Sequence, residues 1–297
     1  MIEVRNVTKV FDGFTALDGL NLTVPTGAIY GLVGPNGAGK STIIRHIAGI
    51  YRQDSGDVLI DGNPVYENPA VKEKTAYISD DMYFFTQAGI RDMMKYYRGV
   101  YKNFDMERYN ALRDIFRLDE KRPMRKLSKG MQKQAAFWLA LSMRPEVLIL
   151  DEPVDGLDPV MRRQVWSLVM GDVEERGTTV LVSSHNLREL EDVCDHVGII
   201  HGGRTMLEHS LSELQENVSK VQIVLNEGQE LPEGLNILHS SQSGRIRTLI
   251  VRGKSEETEA KLAAIGPLFY DLIPLSLEEI FIYELGGADY AVKDIIM

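Results

Sequence analysis

The chain has 297 residues, of which 44% are hydrophobic, and its formal net charge is −10. A chain of this length can bury a large core and can form one large domain with a smaller one. The acidic balance argues against nucleic acid as a default partner, since phosphate binding requires a basic surface, and it gives no support to a polybasic membrane contact.

The cysteine count and the hydropathy bear on the compartment. Cys194 is the only cysteine in the sequence, which excludes an internal disulfide and suits a reducing cytosol. No run approaches the roughly 18 consecutive apolar residues that a membrane-spanning helix needs. The first residues, MIEVRNVTKVF, resemble a charged strand rather than a signal peptide. We therefore expect a cytoplasmic protein with a half-buried thiol.

Short β segments open the chain and lead to a phosphate-binding motif. Residues 2–33 and 56–66 have strand-like patterns that predict an antiparallel flank. The stretch AIYGLVGPNGAGKSTIIRHIAGI gives an apolar strand, a glycine-rich turn and an amphipathic helix, and residues 34–41 fit G-x-x-x-x-G-K-[ST]. Glycines let backbone N–H groups surround a phosphate at the positive end of a helix. The motif therefore predicts nucleotide binding.

Roles within the motif follow from its chemistry. We expect Lys40 to reach the β and γ phosphates and the Ser41 hydroxyl to ligate Mg²⁺. The predicted ATP-binding residues of this loop are Gly34, Pro35, Asn36, Gly37, Ala38, Gly39, Lys40, Ser41 and Thr42.

Two adjacent acids follow the next short apolar strand, in the segment AYISDDMYFF. Asp80 and Asp81 allow three interpretations: a metal site, one half of an acid/base pair, or a solvated turn. The turn is the ordinary one, because Asp side chains bond nearby backbone N–H groups.

Residues 86–143 are helical by pattern, and their last helix has an unusual start. From Lys129 onward one face is apolar, and Ser128 is the predicted N-cap. That face consists of Met131, Ala135, Trp138, Leu139 and Ser142. A hydroxyl, a glycine amide and Lys129 at an exposed helix start would form a second anion site. An ordinary capped helix explains the same residues.

Two later apolar strands end in groups suited to catalysis. VLILDEP ends in Asp151 and Glu152, and TTVLVSSH ends in His185; catalytic groups of α/β sheets lie at such strand ends. Asp151 would hold Mg²⁺ through water, and Glu152 would orient or deprotonate the attacking water. His185 could hydrogen-bond the γ-phosphate and the water. An acidic turn explains the two acids but not their pairing with a phosphate-binding loop.

Residues 147–208 alternate strand and helix, as a parallel sheet requires. Beyond them, SKVQIVL and RIRTLIVR are strand-like around a turn-rich stretch, and EETEAKLAAI and LSLEEIFIYEL are helical. This pattern predicts a small α+β domain over residues 212–297, for which the default role is packing or dimer support.

In combination, GPNGAGKST, LSKGM, VLILDEP, DGLDP and SSH occur in this order and resemble the ATPase subunit of an ABC transporter, over residues 2 to about 211. The resemblance implies an α/β fold: a P-loop NTPase core with an antiparallel β flank and an inserted helical subdomain at about 86–143. The nucleotide-binding domain would span residues 1–211. The closing SLEEIFIYEL resembles the end of ATPases that serve bacterial drug, antibiotic-peptide or lipid export.

In that family two subunits pack head to tail, so that each ATP lies between one P-loop and the partner's signature helix. The resemblance implies that Ser128 and Gly130 contact the partner's γ-phosphate, and that Lys129 is a change in side chain only, since LSKGM departs from the commoner LSGGQ. Phe11 matches the aromatic residue that stacks on adenine, although a core role is the alternative. The loop that links the two sites would be Asp155, Gly156, Leu157 and Asp158.

Two other regions gain a role from the resemblance. Asp80 stands where the family has a glutamine that touches Mg²⁺, which implies a conditional metal ligand when ATP is bound and leaves Asp81 as loop solvation. Aromatic residues crowd the helical segment, either as its core or as a groove for a short helix of a membrane subunit. They are Tyr83, Phe84, Phe85, Tyr96, Tyr97, Tyr101, Phe104, Tyr109 and Phe116.

The function that follows is an ATPase, using ATP and Mg²⁺, that dimerises as a homodimer or heterodimer and powers a separate transmembrane permease from the cytoplasmic face of the membrane. The alternative is a soluble ABC ATPase of cofactor assembly or another non-transport system. DNA-repair relatives carry a long coiled coil, and no sustained heptad repeat occurs here. A small-metabolite P-loop kinase would not need the signature helix.

Overall fold

The computed structural model describes residues 1–185 and 187–285, which form two compact units. The first unit comprises residues 1–185 and 193–208. The described part of the second comprises residues 187–192 and 209–285. The predicted boundary after residue 211 stays a prediction, and residues 286–297 of the predicted C-terminal domain lie outside the described residues.

The first unit contains ten strands and six helices among its described residues. The strands are β1 (Ile2–Phe11), β2 (Phe14–Val24), β3 (Ile29–Val33), β4 (Ser55–Ile60), β5 (Asn63–Pro64), β6 (Thr75–Ile78), β7 (Val147–Asp151), β8 (Thr179–Ser183), β9 (His196–His201) and β10 (Arg204–Ser210). The helices are α1 (Lys40–Ile47), α2 (Pro69–Glu73), α3 (Ile90–Val100), α4 (Met106–Phe116), α5 (Lys129–Ser142) and α6 (Pro159–Arg176), with a 3-10 turn at Met124–Lys126.

The central sheet has the strand order β10-β9-β3-β8-β7-β6, and the five strands from β9 to β6 pair in parallel. β3, β7 and β8 are buried at every position, as strands covered on both faces require, and this explains their unbroken apolar runs. Because parallel strands end at one edge, the segments that follow β3, β7 and β8 are brought to the same edge of the sheet.

The antiparallel flank that the sequence predicted is the sheet β2-β1-β4-β5. Its inward side chains join those of the central sheet and α1 in one apolar cluster, which includes Leu20, Leu32, Ile44 and Val58. The fold class predicted from the sequence is thus confirmed for the core and its flank.

The predicted helical region 86–143 contains α3, α4 and α5, and one ion pair connects α4 with α6. The Asp172 carboxylate on α6 is buried and lies 2.9 Å from Arg108 Nη2 on α4 and 3.8 Å from Arg176 Nη1. Burial raises the pKa of Asp172, while the two arginines lower it. A buried carboxylate persists only with such partners, so the helices of this region are attached to the core at a defined place.

The described part of the second unit has one antiparallel sheet, in the order β12-β13-β11-β14. Its strands are β11 (Val218–Val224), β12 (Asn236–Ser243), β13 (Ile246–Arg252) and β14 (Phe269–Pro274), and its helices are α7 (Leu187–Glu191), α8 (Leu211–Asn217), α9 (Ser255–Ile265) and α10 (Leu277–Leu285). Leu262 of α9 packs on Val221, Ile223, Leu249 and Val251 of the sheet. The α+β pattern is as predicted, but β12 and β14 were missed.

Cys194 precedes β9 and is more deeply enclosed than expected. The residue is buried rather than half-buried, and burial raises the pKa of its thiol well above the usual range. Within residues 1–185 and 187–285, no helix has both the length and the apolar character needed to cross a bilayer.

Candidate functional site

The predicted phosphate-binding loop joins β3 to the start of α1. Gly37 and Gly39 have φ values of +81° and +108°, a region that glycine enters without steric cost. A Cβ at Gly34 would lie 2.2 Å from the backbone oxygen of Ile200, so only glycine fits there as well. The backbone therefore requires glycine at both glycine positions of the motif, Gly34 and Gly39, and favours it at Gly37 as well.

Lys40 places its ammonium group inside this loop. The residue is 7% exposed, and its Nζ donates to the carbonyl oxygens of Gly34 at 2.6 Å and Pro35 at 3.3 Å. Burial lowers the pKa of Lys40, while Glu152 and Asp151 raise it. Of the remaining predicted loop residues, Asn36 is exposed, Ala38 is buried, and Ser41 and Thr42 are half-buried on the first turn of α1.

Asp151, the last residue of β7, accepts hydrogen bonds from two hydroxyl groups. Its Oδ1 accepts hydrogen bonds from Ser183 Oγ at 2.6 Å and from Ser41 Oγ at 3.3 Å. Carboxylate and hydroxyl oxygens are ligands that Mg²⁺ prefers, so Ser41 and Asp151 fit the ion for which the sequence predicted them. Sequence analysis missed Ser183, which lies opposite Asp151 in the parallel register of β7 and β8.

Glu152 and His185, the two predicted catalytic residues, are in direct contact. His185 Nδ1 lies 2.9 Å from Glu152 Oε2, and ligand atoms of Glu152, Asp155 and His185 all lie within 4.8 Å of one another. Burial raises the pKa of Glu152, whereas His185 and Lys40 lower it. A carboxylate with a raised pKa beside a histidine is suited to accept a proton from water.

The predicted signature residues lie at the N-terminus of α5, next to the predicted linking loop. Ser128 Oγ accepts a hydrogen bond from Met131 N at 3.3 Å, as the predicted N-cap should. A Cβ at Gly130 would lie 2.5 Å from the backbone oxygen of Gly156, so glycine is required for this contact. Ser128, Lys129 and Gly156 are exposed.

The linking loop, Asp155 to Asp158, leads into α6. The Asp158 side chain caps that helix by accepting from the backbone N–H groups of Val160 and Met161, and Leu157 is buried. Between the described residues, no hydrogen bond or ion pair connects this loop or Ser128–Gly130 with the phosphate-binding loop. The structure thus places the predicted site residues around the phosphate-binding loop and around the start of α5, and Asp155 of the linking loop lies close to Glu152 and His185.

Asp80 makes a contact that the sequence did not indicate. Its Oδ1 lies 3.4 Å from Nζ of Lys133, a buried lysine on α5. A metal-ligand role for Asp80 stays a prediction. Asp81 is exposed, and its backbone oxygen accepts a hydrogen bond from Ser79 Oγ at 2.6 Å, in keeping with a solvated turn. Lys133 stands between two glutamines in α5, so the sequence offered no local signal that it is buried.

Phe11 lies at the end of β1 and is 37% exposed. Its ring meets the ring of Tyr51 edge to face, with centroids 5.5 Å apart, and Lys9 Nζ lies 5.4 Å from its centroid. A partly exposed ring, held at its edge by a second ring, has a face available for stacking. The adenine-binding role of Phe11 stays a prediction, and Tyr51 was missed by sequence analysis.

The aromatic residues of the helical region divide into a core and a surface set. Tyr109 and Phe116 are buried and stack on Trp138. Phe84, Tyr97 and Tyr101 line a cavity of about 280 Å³. The exposed members are Tyr83 at 85%, Phe85 and Tyr96. The core interpretation therefore applies to Tyr109 and Phe116, and the docking groove for a membrane subunit stays a prediction.

Known proteins resemble this chain over most of its length. The family model described as ABC transporter matches residues 17–155. The chain is 33% identical, over 288 residues, to the ABC transporter ATP-binding protein YtrB of Bacillus subtilis (strain 168), which covers 97% of this chain and 99% of that protein.

Two further similarities concern function and fold. The daunorubicin/doxorubicin resistance ATP-binding protein DrrA of Streptomyces peucetius is 33% identical over 246 residues, which are 80% of this chain and 74% of that one. The dimeric structure of MJ0796, a bacterial ABC transporter cassette, has a TM-score of 0.63 at 22% identity and covers 71% of this chain and 99% of its own. At that identity the likeness shows the fold.

Proposed function

The chain belongs to the family of ABC transporter ATP-binding proteins, and from this premise we propose that it powers a separate transmembrane exporter through a cycle of ATP-driven dimerisation and hydrolysis. As a member of that family it is an ATP-binding and ATP-hydrolysing subunit. The relative DrrA, named for daunorubicin and doxorubicin resistance, supports a drug-like cargo among the drug, peptide and lipid cargoes that we consider.

ATP is the substrate, and the residues of two loops would hold it. The backbone of residues 34–39 would receive the β phosphate, with Lys40 contributing its charge to the β and γ phosphates. Lys40 is already directed into the loop by its bonds to Gly34 and Pro35, so phosphate oxygens can replace these carbonyl acceptors without a large movement of the lysine. Phe11 would stack on the adenine.

Mg²⁺ would be held by Ser41 and Asp151, with Asp80 as a conditional further ligand. The observation that supports the first two is their 3.3 Å contact at one edge of the sheet. When bound, the ion neutralises charge on the β and γ phosphates. Ser183 would keep the Asp151 carboxylate oriented through its 2.6 Å hydrogen bond.

Hydrolysis would depend on Glu152. Its carboxylate would accept the proton of the attacking water, and the bond to His185 would keep it in place and leave the other imidazole nitrogen for the γ-phosphate. Lys40 and His185 both favour the charged form of Glu152. Burial acts in the opposite direction and raises the pKa of Glu152 overall, and a raised pKa makes a carboxylate a better proton acceptor.

A single observation supports the dimeric mechanism. The start of α5 and the linking loop form an exposed group, at Ser128, Lys129, Asp155 and Gly156, and no hydrogen bond within the described part of the chain connects this group with the phosphate-binding loop. A capped helix start with free N–H groups attracts anions. We propose that its anion is the γ-phosphate of ATP bound to a partner subunit, and that the partner is either a second copy or a related ATPase.

A mixed dimer of two variants would test this arrangement. If Ser128 acts on the partner's ATP, a dimer of one Lys40→Ala chain and one Ser128→Ala chain has both defects at one site, and the other site is intact. We expect such a dimer to hydrolyse ATP, whereas a dimer of wild type with the double variant Lys40→Ala/Ser128→Ala should be inactive. Phosphate release from dimers purified through two different tags gives both rates. The reverse result would mean that Ser128 acts within its own chain.

The permease would dock on the aromatic surface near α3. Tyr83, Phe85 and Tyr96 are exposed there, and Phe85 packs edge to face on Tyr96, with centroids 4.9 Å apart. Aromatic side chains are enriched in protein interfaces because they bury much area at little entropic cost. Through this contact the chain would be peripheral at the cytoplasmic face of the membrane.

Recovery of the tagged chain from detergent-solubilised membranes tests the membrane partner. We expect a multi-span membrane protein to be retained, and Tyr83→Ala to weaken that retention. Leu268→Ala is the matched control, since Leu268 is equally an exposed apolar side chain but lies in the second unit. Exclusive recovery with a soluble scaffold would contradict the transport function.

A further inference from the structure

Lys133 is a buried lysine that none of the steps above uses. Its side chain is 4% exposed, and its Nζ donates a hydrogen bond to the backbone carbonyl of Glu152. The same ammonium group lies 3.4 Å from the carboxylate of Asp80. Burying an ammonium group is unfavourable unless it is paired and hydrogen-bonded, and both of its contacts are directed at residues of the nucleotide site.

The backbone of Glu152 is in a conformation that needs support. Its φ is +46°, in the left-handed region that non-glycine residues adopt at an energetic cost and keep only when their surroundings hold them there. The Glu152 amide donates to the carbonyl oxygen and the hydroxyl of Ser183, both at 3.2 Å. The amide is therefore held by β8, and the carbonyl is held by Lys133.

We propose that Lys133 is a positioning residue for ATP hydrolysis. By fixing the Glu152 carbonyl, it keeps the strained backbone in place and so directs the Glu152 carboxylate toward the attacking water. This inference rests on the function proposed above for Glu152. It assigns to α5, whose N-terminus would serve the partner's ATP, a second task at the nucleotide site of its own chain.

Asp80 is the charge partner of Lys133, and of the two side chains it is the one that solvent and other molecules can contact. The Asp80 side chain is 59% exposed and that of Lys133 is 4% exposed, and both residues line a cavity of about 460 Å³. A molecule that contacts Asp80 from solvent can thus change the position of the Glu152 backbone, because Lys133 bonds to both residues. A neutral side chain at position 80 would leave the Lys133 ammonium group without this ion pair.

The first test is the kinetics of Lys133→Met, which keeps the length of the side chain and removes the ammonium group. We expect kcat for ATP hydrolysis to fall by about 10- to 100-fold, as misplacement of a catalytic group does, while KM and the affinity for ATP measured by calorimetry change little. Lys261→Met is the matched control, because Lys261 also donates to a backbone carbonyl, that of Gly234 at 2.8 Å, in the second unit. An unchanged kcat in Lys133→Met would overturn the inference.

A double-mutant cycle with Glu152→Gln separates positioning from a general loss of structure. If Lys133 acts through Glu152, then Lys133→Met in the Glu152→Gln background causes no further fall in kcat. Two independent reductions that multiply would contradict positioning. A wild-type rate in Glu152→Gln alone would instead reject the role of Glu152 itself, and the inference would fail with it, so the two failures are distinguishable.

Asp80→Asn changes an exposed residue and is therefore the second variant to measure, should Lys133→Met fail to fold. We expect it to lower kcat severalfold without shifting the Mg²⁺ concentration needed for half-maximal activity, an outcome that would also remove Asp80 from the Mg²⁺ ligands proposed above. It should have no further effect in the Glu152→Gln background. A wild-type kcat, or a fall accompanied by a higher Mg²⁺ requirement, would overturn the assignment of Asp80 as the partner of Lys133.

Discussion

Glu152→Gln is expected to bind ATP as the wild type does and to hydrolyse it about 10²- to 10⁴-fold more slowly, which is the usual contribution of a general base. The amide keeps the shape of the side chain and can still bond His185, but it cannot take up the proton of the attacking water. Because ATP is then bound and not consumed, the variant should accumulate as an ATP-bound dimer. Single-turnover phosphate release and size-exclusion chromatography with ATP and Mg²⁺ measure the two effects.

Glu174→Gln is the control for this variant, since Glu174 is an exposed acid on α6. It should leave both the rate and the elution volume unchanged. A wild-type rate of hydrolysis in Glu152→Gln would reject Glu152 as the base. A slow rate without a dimer would agree with Glu152 as the general base but would contradict the link between ATP retention and dimerisation.

Lys40→Ala is expected to weaken ATP binding by about 100-fold, because losing one partner of a desolvated charge contact costs a few kcal/mol. Among the described residues, this ammonium group bonds to two backbone carbonyls of its own loop, so its removal takes away a positive charge beside the bound phosphates and breaks no bond of the sheet. Titration calorimetry with ATP gives the affinity, and thermal unfolding without nucleotide verifies the fold.

Lys74→Ala serves as the comparison, because Lys74 forms an exposed ion pair with Glu146 at 3.0 Å, and such pairs contribute little. Its ATP affinity should equal that of the wild type. An unchanged affinity in Lys40→Ala would contradict the role of the P-loop, whereas lost affinity together with a lower unfolding temperature would indicate damage to the loop rather than loss of a phosphate contact.

Local patterns made much of the fold predictable. The P-loop was recognisable because its glycines have positive φ or close contacts that no other residue tolerates, and the start of α5 because Ser128 caps it. Continuous apolar runs identified β7 and β8 as buried parallel strands. The positive φ of Gly37 and Gly39 and the Ser128 cap are determined within a few residues of sequence.

The missed features depend on partners far along the chain. β12 is mostly polar and almost wholly exposed, so it lacks the alternation of apolar and polar residues that marks a half-buried strand. Its extended conformation is instead stabilised by hydrogen bonding to β13. The contact of Lys133 with Asp80 spans 53 positions, and no pattern around either residue reveals the other. Ser183 is likewise placed by the register of two strands.

The enclosure of Cys194 makes this protein convenient for thiol chemistry. Because the sequence has no other cysteine and burial raises the pKa of the Cys194 thiol, little reactive thiolate exists near neutral pH. A cysteine introduced at an exposed position such as Lys129 would then be the preferred site for a maleimide dye or a short cross-linker. The approach of two subunits can therefore be followed by fluorescence or captured by a covalent cross-link without first replacing Cys194.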